Sequence, residues 1–226
     1  MIFEITDFPA DHAEIIARGM VVEESLRAGA SLFAQLNAQA VRYAMYNGAA
    51  LSQTVYGSPL KLKSYSVDLL IHPADKEKAA EIFHHCGFRN VNMPIQAGRT
   101  VFIRQSDTML CPWIIYHADT TFLLGQVMDD GQMESILSGT CEGEIYDIRF
   151  RKLKPEAEFA MLCAEYRLSC RDDRQMDRML AFLGEYLRQV TVEPEKLAAI
   201  AAACGISQEV HECMRLIGGV RQRIRQ

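Results

Sequence analysis

Apolar residues recur every three or four positions along the first part of the chain, in "AEIIARGMVVEESLRAG" and "ASLFAQLNAQAVRYAMY". This spacing predicts helical structure from about residue 10 to residue 45, with Gly29 as an interruption. A short second helix is predicted to begin at Asn47 and Gly48 and to end at Gly57.

The period of the pattern then changes. "YSVDLLI" is rich in β-branched and aromatic residues and predicts a strand, and "ADKEKAAEIFHHCG" predicts an amphipathic helix. Further strands are predicted in "FRNVNMPI", "RTVFIRQ", "MLCPWIIYHA" and "EIYDIRF", with a helix or loop around "GQMESIL". From Pro155 onward helical spacing continues to the end of the chain.

This order of elements predicts an α/β (α+β) fold in which a mixed β-sheet is flanked by helices. We expect residues 1–153 to form the α/β domain, including the N-terminal helices, and residues 154–226 to form a C-terminal helical region.

Composition narrows the function classes only slightly. The chain has 226 residues, of which 49% are hydrophobic and 23% charged, which is typical of an ordinary globular protein. A formal net charge of -5 argues against an extended nucleic-acid surface, which would need clustered Lys and Arg. The one basic stretch, "RLIGGVRQRIRQ", is interpreted as a solvated helix end.

The cysteines and the apolar runs indicate a cytoplasmic protein without a membrane segment. There are seven cysteines, an odd number without CxxC spacing, as expected for reduced thiols. No apolar run reaches the ~18 residues of a membrane span, and the acidic N-terminus lacks the pattern of a secretion signal.

One acid stands out in the strand "YSVDLLI". Asp is disfavoured within strands, and alternation places Asp68 and Ser66 on the same face of the sheet. Asp68 is therefore either a structural residue that is hydrogen-bonded to a neighbouring loop or a site residue.

The stretch around Asp68 resembles a family. "NGAALSQTVYGSPLKLKSYSVDLLI" resembles a largely uncharacterised bacterial nucleotidyltransferase-like family of the polymerase-β-type nucleotidyltransferase superfamily. The family pattern is Lys-Gly-x-x-Leu, Tyr-Gly-Asp-Pro, an Arg, and then Gly-Asp-Ile-Asp-Leu-Leu-Val. The matching positions are Gly48, Leu51, Tyr56, Gly57, Pro59, Asp68, Leu69 and Leu70.

The resemblance implies transfer of a nucleotidyl group from an NTP to an acceptor, assisted by two Mg²⁺ ions held by paired acids and a third acid. In this sequence Ser66 and Asp68 fall on the acid pair, and Ile115 falls on the third acid. The family's Arg, the Lys of Lys-Gly and the Asp of Tyr-Gly-Asp-Pro are replaced as well, by Leu62, Asn47 and Ser58.

Two sets of residues could compensate for these losses. Asp119, two residues after His117, is a candidate metal ligand, or else a turn residue that caps "DTTFLL". Lys61 and Lys63 could contact phosphate in place of the missing Arg, or could be solvated loop charges.

We therefore consider two main hypotheses for the function. The favoured one is a catalytically degenerate pseudo-enzyme that binds or regulates, with Asn47, Gly48, Ser66, Lys61 and Lys63 as the candidate nucleotide-binding residues. The alternative is an active Mg²⁺-dependent nucleotidyltransferase that uses Asp68 and Asp119.

Partner expectations follow from these hypotheses. An NTP and a protein that contacts the C-terminal helices are the expected partners, and neither a membrane nor a nucleic acid is expected. A purely structural interaction module, without a polar cleft near Asp68, is the third hypothesis.

Zinc and hydrolase sites are not expected. His84 and His85 beside Cys86 end a helix, where His can contact free carbonyls, and no second ligand pair follows at finger spacing. The sequence also lacks a Gly-x-Ser-x-Gly elbow, a P-loop and a dinucleotide fingerprint.

Overall fold

The computed structural model describes residues 12–62, 64–91, 98–106, 112–120, 128–169 and 173–224. Its helices are α1 (His12–Ala38), α2 (Gly48–Tyr56), α3 (Lys76–His85), α4 (Asp130–Leu137), α5 (Pro155–Ser169), α6 (Asp173–Gln189), α7 (Pro194–Ala203) and α8 (Ser207–Ile224). Its strands are β1 (Tyr43–Tyr46), β2 (Val67–Ile71), β3 (Arg89–Val91), β4 (Arg99–Gln105), β5 (Trp113–Asp119), β6 (Cys141–Ile145) and β7 (Ile148–Lys152).

The strands form one mixed sheet in the order β3-β4-β5-β2-β1-β7-β6. The β2–β5 and β1–β7 pairs are parallel, and the other neighbouring pairs are antiparallel. Helices pack on this sheet, so the predicted α/β architecture with a mixed sheet and flanking helices is confirmed.

The N-terminal segment differs from its prediction in two ways. Helix α1 ends at Ala38, and Tyr43–Tyr46 forms strand β1 rather than the end of a helix. All four residues of β1 are buried, so the strand shows no alternation of polar and apolar residues by which it could be recognised.

Gly29 does not interrupt α1, which continues through it. A Cβ atom at this position would lie 1.9 Å from the hydroxyl of Tyr116, and that hydroxyl donates a hydrogen bond of 2.8 Å to the Ser25 carbonyl. Glycine is needed here for close packing of α1 on β5.

The predicted single strand "EIYDIRF" is a hairpin. Strands β6 and β7 meet at Tyr146 and Asp147, which both have positive φ, 52° and 63°. A two-residue turn with this geometry usually carries Asn-Gly or Asp-Gly, so Tyr-Asp gives no turn signal in the sequence.

Alternation divides the sheet into two faces. Towards α1 and α3 lies a core that we call the aromatic face, whose members include Phe33, Tyr43, Phe83, Phe88, Phe102, Tyr116 and Phe150. Towards α4–α8 lies what we call the mixed face, where Ala44, Tyr46 and Leu70 share a core with residues of α5–α8. The predicted domain boundary near residue 153 stays a prediction.

Candidate functional site

Polar side chains form a row across the middle of the mixed face. Tyr46 of β1 lies opposite Asp68 of β2, and Asp68 lies opposite His117 of the parallel strand β5. Asp119, two residues after His117, lies opposite Arg99 of β4. The site is thus built from four adjacent strands, and strand pairing fixes which residues meet.

Asp68 is buried and bonded within this row. It is 3% exposed, and its Oδ1 atom lies 2.7 Å from Nδ1 of His117 and 3.3 Å from the Ser66 hydroxyl. The Ser66 hydroxyl donates to Asp68, and His117 Nδ1 lies within hydrogen-bond distance of the same oxygen. The predicted placement of Ser66 and Asp68 on one face is confirmed.

Asp119 is also 3% exposed and is held by two side chains. Arg99 Nε donates to Oδ1 at 2.6 Å and Arg99 Nη2 donates to Oδ2 at 2.7 Å, which is a bidentate pair. The Tyr46 hydroxyl donates a short hydrogen bond to Oδ2. Asp119 is the last residue of β5, and its role as a cap of "DTTFLL" stays a prediction, because most of that segment lies outside the described residues.

Burial and charge act together on the two partners of Asp119. Burial, and then the negative charges of Asp119 and Asp68, raise the pKa of Tyr46 well above its usual range, so the phenol keeps its proton and donates. Burial alone would lower the pKa of Arg99, but the hydrogen bonds and charge of Asp119 outweigh it and the pKa rises. Arg99 is therefore a permanent buried cation.

A third acid approaches the site from the C-terminal helices. Glu165 of α5 is buried, and burial, together with the charge of Asp68, raises its pKa to about 7, while Arg99 opposes the shift. The sequence analysis missed this residue, because only the packing of α5 across the sheet brings it within electrostatic reach of Asp68.

The start of α2 lies beside this row. Asn47 precedes the helix with φ 60°, and its side chain makes no capping hydrogen bond. Gly48 has φ +45°, and a Cβ atom there would lie 2.7 Å from the Ser64 hydroxyl and 3.7 Å from the Ser66 carbonyl. The helix N-terminus therefore packs directly against the loop that leads into β2.

A buried serine organises the loop that follows α2. The Ser52 hydroxyl donates to the Ser58 carbonyl at 2.7 Å and accepts from the backbone amides of Lys61 at 2.9 Å and Leu62 at 3.0 Å. The Lys61 side chain is exposed, and Leu62, at the position of the family's Arg, is buried in the core. Lys63 lies outside the described residues.

These carboxylates, as arranged, do not fit a two-metal centre. Both oxygens of Asp119 are engaged by Arg99 and Tyr46, and Ile115 supplies no acid. No group of three or more His, Cys, Asp or Glu side chains within the described ranges could hold a metal ion. Mg²⁺ needs oxygen ligands in near-octahedral geometry, whereas in this arrangement the Asp119 oxygens are bonded to a guanidinium and a phenol. The assignment of Asp68 and Asp119 as metal ligands stays a prediction.

Three other histidines, His72, His84 and His85, make local contacts. His84 Nδ1 lies 3.2 Å from the Phe88 carbonyl, His85 Nδ1 lies 2.8 Å from the Glu81 carbonyl, and the Ala74 amide donates to His72 at 3.2 Å. These contacts agree with the interpretation of His84 and His85 as helix-end residues.

Sequence reasoning also missed Arg99 and the role of Tyr46. Arg99 begins a strand, a position that carries no local sign of a partner, and Tyr46 lies just after the predicted first helix, where no strand was expected. Both are identified only by the pairing of β4 with β5 and of β1 with β2.

Among helices in the described part of the chain, none is both long enough and apolar enough to span a membrane.

No protein-family model and no curated protein matches this sequence. A solved structure similar to it is the crystal structure of an antigenic nucleotidyltransferase-like protein from Paracoccidioides brasiliensis. The two are 15% identical with a TM-score of 0.59, and the match covers 89% of this chain and 90% of that chain.

Two structures of the antibiotic-resistance factor ANT(2'')-Ia match less closely. The solution structure is 13% identical with a TM-score of 0.43, covering 85% of this chain and 91% of that chain. The crystal structure in complex with adenylyl-2''-tobramycin is 13% identical with a TM-score of 0.40, covering 94% of this chain and 99% of that chain. At such identities only the fold is established, and the fungal structure establishes it: this chain has a nucleotidyltransferase-type α/β fold.

Proposed function

We propose that this protein is a catalytically degenerate member of the nucleotidyltransferase fold, a pseudo-enzyme that has lost metal-dependent transfer and acts by binding or regulation. The observation that carries the proposal is the engagement of both Asp119 oxygens by Arg99 and Tyr46. In phosphoryl transfer the protein contributes mainly positioning and charge stabilisation through metal ions. A chain in which the candidate metal ligand Asp119 is already paired with a guanidinium has little of that stabilisation to offer.

Nucleotide binding is the activity that such a protein retains under this proposal. The start of α2 at Asn47 and Gly48 places backbone amides beside Ser66, and a helix N-terminus favours anionic groups. The exposed Lys61 side chain on the following loop adds positive charge, as would Lys63. Together they form the proposed contact surface for a triphosphate.

Isothermal titration with ATP and GTP, with and without Mg²⁺, tests this proposal together with an assay for release of pyrophosphate from labelled NTP. We expect binding without turnover. Lys61→Ala should weaken binding several-fold, and Lys76→Ala, an exposed lysine at the start of α3, is the matched control. Sustained pyrophosphate release by the unaltered chain would show that the pseudo-enzyme proposal is wrong.

An active Mg²⁺-dependent transferase with a rearranged site is the second candidate. Asp68 and Asp119 favour it, because they lie on the same face of neighbouring parallel strands, two residues out of register. Activity would require Asp119 to leave Arg99 and turn towards Asp68. A crystal soaked with an NTP and Mn²⁺ tests this directly, and an Asp119–Arg99 pair that persists beside bound nucleotide would count against it.

The C-terminal helices are the proposed contact surface for a protein partner. A cavity of about 320 Å³ opens between α6, α7 and α8, and its lining includes Leu187, Leu197 and the 43% exposed Met214. Apolar cavities at a surface are typical of protein contacts. If the proposal holds, Met214→Lys removes partners captured by the unaltered chain; an unchanged set of captured proteins contradicts it.

A further inference from the structure

We propose that Arg99 is the resident cation of this site, and that its guanidinium neutralises the buried acids that would otherwise bind a divalent metal ion. The sequence resemblance implies a metal centre here, but the contacts of the site differ from those of such a centre. The acids at Asp68 and Asp119 remain buried on one face of the sheet, but a positive side chain is already bound there.

The geometry of the pair supports a specific role rather than a chance contact. The Arg99 and Asp119 side chains are 8% and 4% exposed, and two parallel N–H to oxygen bonds of 2.6 and 2.7 Å join them. Arg99 and Asp119 lie directly opposite each other at one end of the seven-residue β4–β5 register. The arrangement is fixed by the sheet and does not depend on a loop.

The charge around Arg99 shows which groups it balances. Asp119 is bonded to it, and the Asp68 and Tyr46 groups act on it electrostatically; Glu165 is in turn affected by its charge. Among the described neighbours of the two acids, Arg99 is the cation and His117 is bonded to Asp68, whereas Tyr46, Ser66 and Glu165 can be only neutral or negative. Without Arg99 the acids would form a buried negative cluster, and such clusters attract divalent cations.

Arg99 is in this view a positioning residue that also blocks metal binding. Its planar fork saturates both oxygens of one carboxylate, whereas a metal ion would draw oxygens from several carboxylates into one shell. A lysine at the same position would supply a single point charge and would leave part of the carboxylate accessible.

The first experiment measures thermal unfolding of the unaltered chain and of Arg99→Met with and without about 5 mM MnCl₂, at matched ionic strength. We expect Mn²⁺ to change the Tm of the unaltered chain by less than about 1 °C. It should raise the Tm of Arg99→Met, which is lower at the outset, by at least about 3 °C, because the freed carboxylates bind the ion only in the folded chain.

Arg104→Met is the matched control. Arg104 belongs to the same strand, but its guanidinium lies over the Phe88 ring on the aromatic face, 6.0 Å from the ring centroid. We expect its Tm to be insensitive to Mn²⁺. In the double variant Arg99→Met with Asp119→Asn the Mn²⁺ response should be lost, because a necessary carboxylate is gone.

Arg99→Lys keeps the test decisive if Arg99→Met does not fold. Its Mn²⁺-induced rise in Tm should fall between those of the unaltered chain and Arg99→Met. Electron paramagnetic resonance should show about one bound Mn²⁺ ion per chain in the single variants Arg99→Met and Arg99→Lys, but not in the unaltered chain. The proposal is overturned if neither Arg99 variant exceeds the unaltered chain, or if Arg104→Met responds equally.

This inference rests on the proposed function in one respect: both attribute the loss of the metal site to charge pairs. The two can fail separately. Turnover by the unaltered chain with Mg²⁺ would overturn the pseudo-enzyme proposal, whereas the Mn²⁺ response of the variants tests the role of Arg99 without any measurement of activity.

Discussion

The aromatic face and the mixed face of the sheet are made by the same strands, yet different contacts hold them together. On the aromatic face Phe83 stacks on Phe102 with ring centroids 4.0 Å apart and meets Phe88 and Tyr116 edge to face. On the mixed face the central strands carry the buried Asp119–Arg99 ion pair and the Asp68–His117 hydrogen bond. Packing energy grows with each buried ring, whereas a buried ion pair depends on both partners being present.

This difference predicts how each face responds to mutation. A packed face loses stability with every truncation, and no second truncation restores it. A face built on charge pairs suffers most when one partner is removed alone, and recovers when both are replaced by apolar groups of similar size.

Phe83→Ala should cost about 3–5 kcal/mol in the free energy of unfolding, because Phe83 is fully buried and has aromatic neighbours on three sides. Phe83→Leu should cost about 1–2 kcal/mol. Adding Phe102→Ala to Phe83→Ala should destabilise further. Equilibrium urea unfolding measures these values, and a double variant more stable than Phe83→Ala would contradict the packing account.

Asp119→Leu should cost about 3–5 kcal/mol by leaving the buried Arg99 guanidinium unpaired, and Arg99→Met added to it should restore most of that stability. The same urea measurements complete the double-mutant cycle. If the two changes were simply additive, the pair would not be coupled and the contrast between the faces would fail.

Glu158 on α5 makes the mixed face sensitive to pH. Burial raises its pKa to about 7 from an ordinary 4.5, although a hydrogen bond from Tyr186 and the charge of Lys152 oppose the shift. One of its oxygens, Oε1, has no hydrogen-bond partner among the described residues.

The folded chain therefore binds this proton more tightly than the unfolded chain. Stability from Glu158 is fully present below pH 4.5 and is lost as pH rises through 7. Between about pH 5 and pH 8, the free energy of unfolding of the unaltered chain should fall by roughly 1–3 kcal/mol relative to that of Glu158→Gln. Urea unfolding at a series of pH values measures the difference, and parallel curves would show that Glu158 does not titrate in this range.

Gly48→Ala tests the edge of the mixed face, where α2 begins. The substitution should lower the free energy of unfolding by about 1–3 kcal/mol, because the backbone has positive φ and the new Cβ would lie 2.7 Å from the Ser64 hydroxyl. Gly57→Ala is the control: φ is +65° but nothing lies within 4 Å, so about 1 kcal/mol is expected. Equal losses would show that close packing at Gly48 is unimportant.

The helices and most strands were predictable from the sequence because their signals are local. Pro155 marks the start of α5 as expected, and the strand that carries Asp68 was found by its β-branched and aromatic content. Strand β1 was missed because burial of both faces removes alternation, and the β6–β7 hairpin was missed because Tyr146 and Asp147 carry no common turn signal.

The candidate site was only half predictable. Asp68 and Ser66 follow from alternation within one strand, and Asp119 was named as an acid of interest. Arg99 could not be found, because it meets Asp119 through strand pairing across 20 residues of sequence. Glu165 lies still further along the chain and reaches the site through the packing of a helix on the sheet.

Local patterns were enough to identify most of the elements, the acid on the central strand and the losses at the positions that the family resemblance assigns to metal ligands. What surrounds the remaining acids was visible in the folded chain alone. Helix and strand signals depend on neighbours within a few residues, whereas the partners of a buried charge come from distant segments. Here those partners are Arg99 and Tyr46 for Asp119, and His117 for Asp68, and strand pairing across the sheet brings them together.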